Sequence, residues 1–453
     1  MAHILRITDG TTTITLSSGD MYIADYVPRV GRDDRPITEP LTIGFSGGVT
    51  TARANVQILN RLLLQAANYD RNRAGKRVYA EFDPDTSGTV YRSKLYNGIV
   101  EMTPDVLGGQ WGSGTVELNI SWTRQPFWDG PLTQVPLSNT SASSTTDGIA
   151  INNRNDAAGE NWASISSSDV VGDLPSPIKI EMLNATTDAN ATDEIYFWHN
   201  VYSTPLLFNT ILEGEASTSG TSTTDATSNS LAYGAFTWSE ITETKFAEWT
   251  IPSTDLVDAA GGRFSVLARW PSVFPYTDCS LRLKLETPTT YDELWKGPLS
   301  LIAPTTDTYN QRELNQLGTL RLPPDYIPGQ AAPAPIVLSV YGVRPSTGPH
   351  TVNIDYLQLS PVADEYGWLR FRAVDPGIGI DQTLLHDETE GYTHLQNSSG
   401  QDAPRFTAYG GPILLTPNVD QKIYINTCDY LGISDIAQTW TVKLWYRPRR
   451  NAL

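Results

Sequence analysis

One segment, Thr50–Asn72, carries the only strong helical periodicity in this 453-residue chain, and that scarcity constrains the fold more than any other feature. Val56, Leu59, Leu63 and Ala66 recur at the spacing that lines one side of a helix. Thr50 or Thr51 can cap the start, and Gly75 follows the end. Elsewhere the apolar residues come in short runs bounded by Gly, Pro, Asn and Asp. Thr115–Trp122 is the clearest of these: Val116, Leu118, Ile120 and Trp122 alternate, which places them on one face of a sheet. His3–Thr8 and Thr11–Leu16 flank Asp9-Gly10, a hairpin turn pair. The expected fold is mainly β: an N-terminal β-sandwich with one helix, a large jelly-roll β-sandwich in the middle, and a β-rich C-terminal region.

Domain limits follow from breaks in composition and from charge. Pro126–Pro131 stops the first pattern, and Ser/Thr-rich tracts at Ser138–Asp147 and Ala216–Ser230 read as exposed loops. Residues 1–130 carry 13 basic and 14 acidic residues, 131–363 carry 11 and 25, and 364–453 carry 8 and 11. The expected domains are therefore 1–130 with helix 50–72, an acidic jelly-roll over 133–361, and a C-terminal domain over 364–453. Residues 374–412 read as a long irregular connection, and Arg447-Pro448-Arg449-Arg450 as a solvated basic tail.

The net charge of -18 argues against nucleic-acid binding, which needs a cationic footprint, and against an anionic membrane surface. Residues 1–20 lack the basic start and apolar run of a signal peptide, and no stretch approaches the ~18 apolar residues that span a bilayer. Cys279 and Cys428 form no metal motif and read as buried thiols.

The chemistry-bearing candidates are few. Gly44-Phe45-Ser46-Gly47-Gly48 matches a nucleophile elbow, but that motif belongs to repeated strand–helix units, and this chain offers one helix. A glycine turn before a capped helix is the better reading. Neighbouring acids such as Asp292 and Glu293, Asp364 and Glu365, or Asp387 and Glu388 read as solvated edges. No phosphate loop, dinucleotide fingerprint or zinc motif is present, so no enzyme activity is expected. Aromatics crowd the middle region. Trp270, Tyr276 and Trp295 lie nearest expected loops and are the candidates for stacking on a sugar.

Two resemblances add to this reading. The opening hairpin Ile4–Leu16, the helix, the hairpin Tyr79–Tyr91, the strand Thr115–Trp122 with Arg124–Gly130, and the segments Pro412–Asn418 and Val442–Tyr446 together resemble distal tail proteins of long-tailed bacteriophages. Phe208–Glu215 paired with Val352–Leu359 is similar to the opening and closing strands of jelly-roll carbohydrate-binding modules. The first resemblance implies a virion tail component that forms a ring, hexameric in that family, and contacts other tail proteins. A decorated tube protein or another minor tail protein is an alternative position. The second implies contact with host-surface polysaccharide and a structural calcium at Glu213, Glu215 and Asp355, although ordinary surface acids on two strands would look the same. A free glycan-binding protein is the competing class.

Overall fold

The computed structural model describes residues 3–453 apart from 18, 24–25, 32–34, 46–48, 87, 102–115, 141, 144–145, 153–159, 186–191, 201–210, 226–227, 254–262, 273, 277, 302–313, 323–333, 347, 362–367, 374–376, 404–405, 429–437 and 452. Ser46, Asp364, Glu365 and Phe208–Thr210 thus lie outside the described residues. The protein is mainly β, with antiparallel sheets throughout and one α-helix among the described residues. It divides into two compact units. The first comprises residues 1–133, 171–176 and 447–453; the second comprises 134–170 and 177–446.

In the first unit seven strands hydrogen-bond in the order Thr13–Thr15, Ile4–Thr8, Tyr79–Asp83, Tyr91–Glu101, Val116–Arg124, Ile37–Phe45, Met21–Ile23. The helix Val49–Asn72 packs on Tyr91–Glu101. Val56, Leu59, Leu63 and Ala66 are all buried, as the periodicity requires. Gly98 permits the close approach: a Cβ there would lie 2.6 Å from a Leu63 methyl carbon. The basic segment at 447–453 is no solvated tail. Arg449–Arg450 pairs with Trp128–Asp129, and the Arg449 Nε donates to Asp129 Oδ1 at 3.0 Å while its guanidinium covers the Phe127 ring.

The second unit holds two hydrophobic cores. One lies between the sheet Ile149–Asn152, Thr439–Tyr446, Ser176–Asn184, Thr383–Asp387, Tyr392–Gln396, Asp402–Ala403 and the sheet Trp162–Ile165, Gln421–Cys428, Glu194–Asn200, Trp368–Ala373, Phe406–Gly410. The other is formed mainly by residues 211–361, with Trp198, Tyr424 and Cys428 joining from the neighbouring sheet. Its sheets are Ile211–Glu213, Tyr356–Pro361, Arg263–Arg269, Leu314–Arg321 on one side and Thr244–Ile251, Ile336–Val343, Ser280–Glu286, Glu293–Lys296 on the other, with Thr221–Thr224, Ala232–Trp238 and His350–Ile354 as a third. Gln358 ties the two parts: its Oε1 accepts from the side-chain amides of Asn161 and Asn426, each at 2.9 Å.

This arrangement corrects the expected domains. Residues 364–453 are not a domain of their own, because their strands pair with strands of 149–200. The expected 133–361 unit is split for the same reason: its first strands belong with the C-terminal ones. Pro412–Asn418 and Val442–Tyr446, which the tail-protein resemblance placed in the frame, belong to the second unit. Residues 374–412 also contain strands, including the hairpin Thr383–Asp387 with Tyr392–Gln396. A period of two identifies a strand but not its partner, and partners here are up to 320 residues away, as in the pair Asp129–Arg449. Cys279 and Cys428 are both buried thiols, and burial pushes Cys279 up to about 12.

Candidate functional site

Two places in residues 211–361 gather polar chemistry. The first is built on the adjacent antiparallel strands Ile211–Glu213 and Tyr356–Pro361, with Glu213 opposite Tyr356. Glu213, Glu215 and Asp355, expected together from sequence, do come together here. Gly214 between the two glutamates is obligatory, since a Cβ would fall 1.8 Å from the Ile354 carbonyl oxygen. The Gly214 N–H donates to the Asp355 carbonyl at 2.7 Å, and the Trp249 Nε1–H donates to the Glu213 carbonyl at 2.7 Å. These bonds fix the backbone that carries the acids.

The electrostatics are those of crowded acids. Burial raises Glu213 to about 8, with the charges of Glu215 and Asp355 adding to the effect. Burial also raises Asp355, to about 7, against the opposing pull of Arg269. Asp355 is fully committed: Oδ1 accepts from the Asn229 backbone N–H at 2.9 Å, and Oδ2 pairs with the Arg269 guanidinium. Asn229 also donates its side-chain amide to Glu213 Oε1 at 2.6 Å, and Ser230 Oγ bonds Glu215 Oε1. One buried oxygen on each glutamate, Glu213 Oε2 and Glu215 Oε2, has no hydrogen-bond partner.

These residues do not fit the three-carboxylate calcium centre that the resemblance implied. Calcium takes six to eight oxygens. Both Asp355 oxygens are already engaged by Asn229 and Arg269, a cation where calcium would need an acid, and the two orphaned glutamate oxygens are too few. Among the described residues no group of three or more His, Cys, Asp or Glu is arranged to hold a metal ion. The guanidinium of Arg269 supplies the positive charge beside Asp355, and the raised Glu213 favours its neutral form. Sequence reasoning missed Arg269, though a signal existed: it follows the apolar run Val266–Ala268 in the strand Arg263–Arg269, and a buried arginine needs a carboxylate.

The three aromatics chosen as sugar platforms fare unequally. Trp270 is a core residue, 1% exposed, with its indole N–H donating to Asn315 Oδ1 at 2.6 Å, so it offers no face to a ligand. Tyr276 is half-buried, its ring covered by the Arg344 guanidinium at 3.9 Å and its hydroxyl accepting the Thr351 N–H. Trp295 is half-buried on the edge strand Glu293–Lys296 and packs against the core. The three do not form one platform.

The second place is the solvent side of the sheet Thr244–Ile251, Ile336–Val343, Ser280–Glu286, Glu293–Lys296. Alternation along Ser280–Glu286 sends Leu281, Leu283 and Leu285 inward and Arg282 and Lys284 outward. Glu286 is the buried hub of this face. It accepts from Ser339 Oγ at 2.6 Å and from the Tyr341 hydroxyl at 2.5 Å, with Lys245 Nζ 3.8 Å away. Lys245 also lies 3.3 Å from the centroid of the Tyr291 ring, and Lys284 3.9 Å from that of Tyr341. Glu243 pairs with both Arg282 and Lys284. The result is a polar face with fixed cations, fixed carboxylates and two tyrosines, of which Tyr291 is exposed. Sequence reasoning missed it because Lys245, Lys284, Glu286 and Tyr341 come from three strands.

No known protein family and no curated protein matches the chain. Among solved structures it is similar to a chain of the phage P2 baseplate in its activated conformation with calcium, at 9% identity, covering 75% of this chain and 98% of that one with a TM-score of 0.26. A chain of the same baseplate with strontium matches at 10% identity, 80% and 99% coverage and a TM-score of 0.21. A structure of PNGF-II matches at 8% identity, 98% and 99% coverage and a TM-score of 0.16. Likenesses this distant do not define a shared fold.

Proposed function

We propose that the protein is a structural component of a long-tailed bacteriophage tail, at the distal tail or tail tip, whose 211–361 sandwich contacts host-surface polysaccharide. The observation that carries the reading is topological. The chain leaves the first unit at Thr133 and re-enters it at Arg447, so the 134–446 unit is an excursion from one frame, broken only by a short return at 171–176. That frame contains the opening hairpin, the helix, the hairpin from Tyr79 and the strand Val116–Arg124 of the pattern that resembles distal tail proteins, while Pro412–Asn418 and Val442–Tyr446 lie in the other unit.

Charge supports the same division of labour. The first unit has 16 basic and 15 acidic residues and can pack against copies of itself, as a ring requires. The second has 16 and 35, and like charge keeps its copies apart. The role is one of assembly and adhesion, not catalysis. For polysaccharide, the fitting surface is the face around Glu286, Tyr341, Lys245 and Tyr291. Its rigid donors and acceptors match sugar hydroxyls, and the exposed Tyr291, with Lys245 over one face of its ring, adds an aromatic surface beside them. Many copies in a tail would convert weak single contacts into firm attachment.

Negative-stain imaging of the full chain tests the frame: closed rings are expected, and a monodisperse monomer at high protein concentration sinks it. An array of cell-wall and capsular glycans tests the face. Binding is expected to disappear in Tyr291→Ala with Lys245→Ala, and binding to no glycan removes the adhesive half of the proposal.

A further inference from the structure

On the outer side of the helix Val49–Asn72, in the first unit, the helix, the turn of the opening hairpin and the loop after the helix border an open groove of about 940 Å³. Five carboxamides line it: Gln57, Asn60, Gln65, Asn68 and Asn72. Gln65 donates to Asp9 Oδ2 and to the Lys76 carbonyl, whereas among the described residues the other four side chains have no hydrogen-bond partner within the protein. Arg61 and Lys76 border the groove, and Leu64, 56% exposed, sits in its middle.

The spacing is informative. Asn60, Leu64, Asn68 and Asn72 follow one another at four-residue intervals, which is about 6 Å per step along a helix. An extended polypeptide presents the same side every two residues, about 6.8 Å. A carboxamide both donates and accepts, so it pairs with the N–H and C=O of a peptide backbone without regard to side chain. The row from Asn60 to Asn72 is about 18 Å long, the reach of roughly five extended residues.

Charge selects among such segments. Residues 49–77 contain six Lys or Arg and a single acid, Asp70. The groove's own carboxylate, Asp9, is spent on the backbone N–H groups of Thr11 and Thr12 and on Gln65. No aromatic residue lines the groove, so it lacks the stacking surface on which sugar recognition rests.

We infer that this groove docks an extended, acidic polypeptide segment of a partner protein, its backbone read by Asn60, Asn68 and Asn72, its carboxylates by Arg61 and Lys76, and an apolar side chain by Leu64. This site is separate from the polysaccharide face and does not depend on it.

The test is fluorescence anisotropy on the full-length protein. The probe is a labelled twelve-residue peptide library, roughly the length needed to cover the row with flanks, alternating Asp or Glu with Leu, Val or Thr. Controls are the same library with Lys for the acids, and oligogalacturonate. Saturable binding of the acidic library is expected, weakened by added salt. Asn60→Ala with Asn68→Ala, and separately Arg61→Glu, should each weaken it at least about tenfold. All three positions are exposed, and an unchanged melting temperature certifies each variant. Absence of binding, equal binding of the lysine library, or binding indifferent to both variants overturns the inference. So does preference for oligogalacturonate, or loss of self-association in the variants without peptide binding.

Discussion

Arg124 and Glu39 face each other from adjacent strands at the centre of the first unit, both almost wholly buried, joined by two hydrogen bonds of 2.7 and 3.0 Å. Glu39 is saturated: Tyr26, Trp122 and the Arg29 backbone also donate to it. Burial alone would raise its carboxyl, and Arg124 more than offsets this, holding it below the usual range. The folded value lies under the unfolded one, so the pair stabilises at neutral pH and the contribution is lost as pH falls through the folded value. Arg124→Ala strands a buried carboxylate and should cost about 3–5 kcal/mol in urea unfolding of the full chain. A loss under about 1 kcal/mol would show that the pair is not buried as described.

The acid cluster of the second unit has the opposite sign. Glu213 rises to about 8 from an ordinary 4.5, so the folded protein holds a proton there that the unfolded chain has released. Stability should therefore decline as pH climbs through that window and level off above it. Glu213→Gln should flatten the decline, read as urea midpoints at pH values below, within and above the window. Millimolar calcium should leave the melting temperature of the full chain unchanged. A calcium-dependent rise that Glu213→Gln abolishes would restore the metal centre.

Gln358 is a single acceptor for two buried donors, Asn161 and Asn426. Gln358→Leu keeps the volume and orphans both, for a cost of about 1–3 kcal/mol per donor. Gln358→Glu retains both bonds as an acceptor and should be the milder change at neutral pH. The two variants melting alike would mean that the amides find other partners.

Gly98 and Leu63 set the distance between helix and sheet. Gly98→Val inserts a branched side chain where even a Cβ lies 2.6 Å from a Leu63 methyl. Overpacking of this kind costs about 1–3 kcal/mol, and Leu63→Ala in the same chain should recover part of it. Strictly additive losses in that double variant would disprove the contact.

What was legible in the sequence is what local pattern encodes. The helix, its buried residues and most strands could be read because periodicity and turn residues are local signals. Glu213, Glu215 and Asp355 were reached through the resemblance to jelly-roll modules; Glu213 ends a short strand, Glu215 follows in a 3-10 turn, and Asp355 lies between two strands. The partners that decide their chemistry were not legible. Arg269 lies 86 residues from Asp355, and Asn229 lies 126 away. Trp270 was misassigned because proximity to a loop says nothing about which way an indole points; only the Asn315 bond and the packing around it do. The same distance problem hid the return of Arg449 to Asp129, 320 residues apart.

That return has a kinetic meaning. Closing a loop of such length by random search would be slow and entropically costly for the first unit. Yet the two ends of the excursion are hydrogen-bonded neighbours inside the second unit, where the Val135 N–H donates to the Leu444 carbonyl at 2.8 Å. Once that unit has folded, residues 133 and 447 are delivered side by side, and for the frame some three hundred intervening residues count as a tight connector. For the pairing of Arg449–Arg450 with Trp128–Asp129, a folded excursion thus acts as a short tether in place of a long loop.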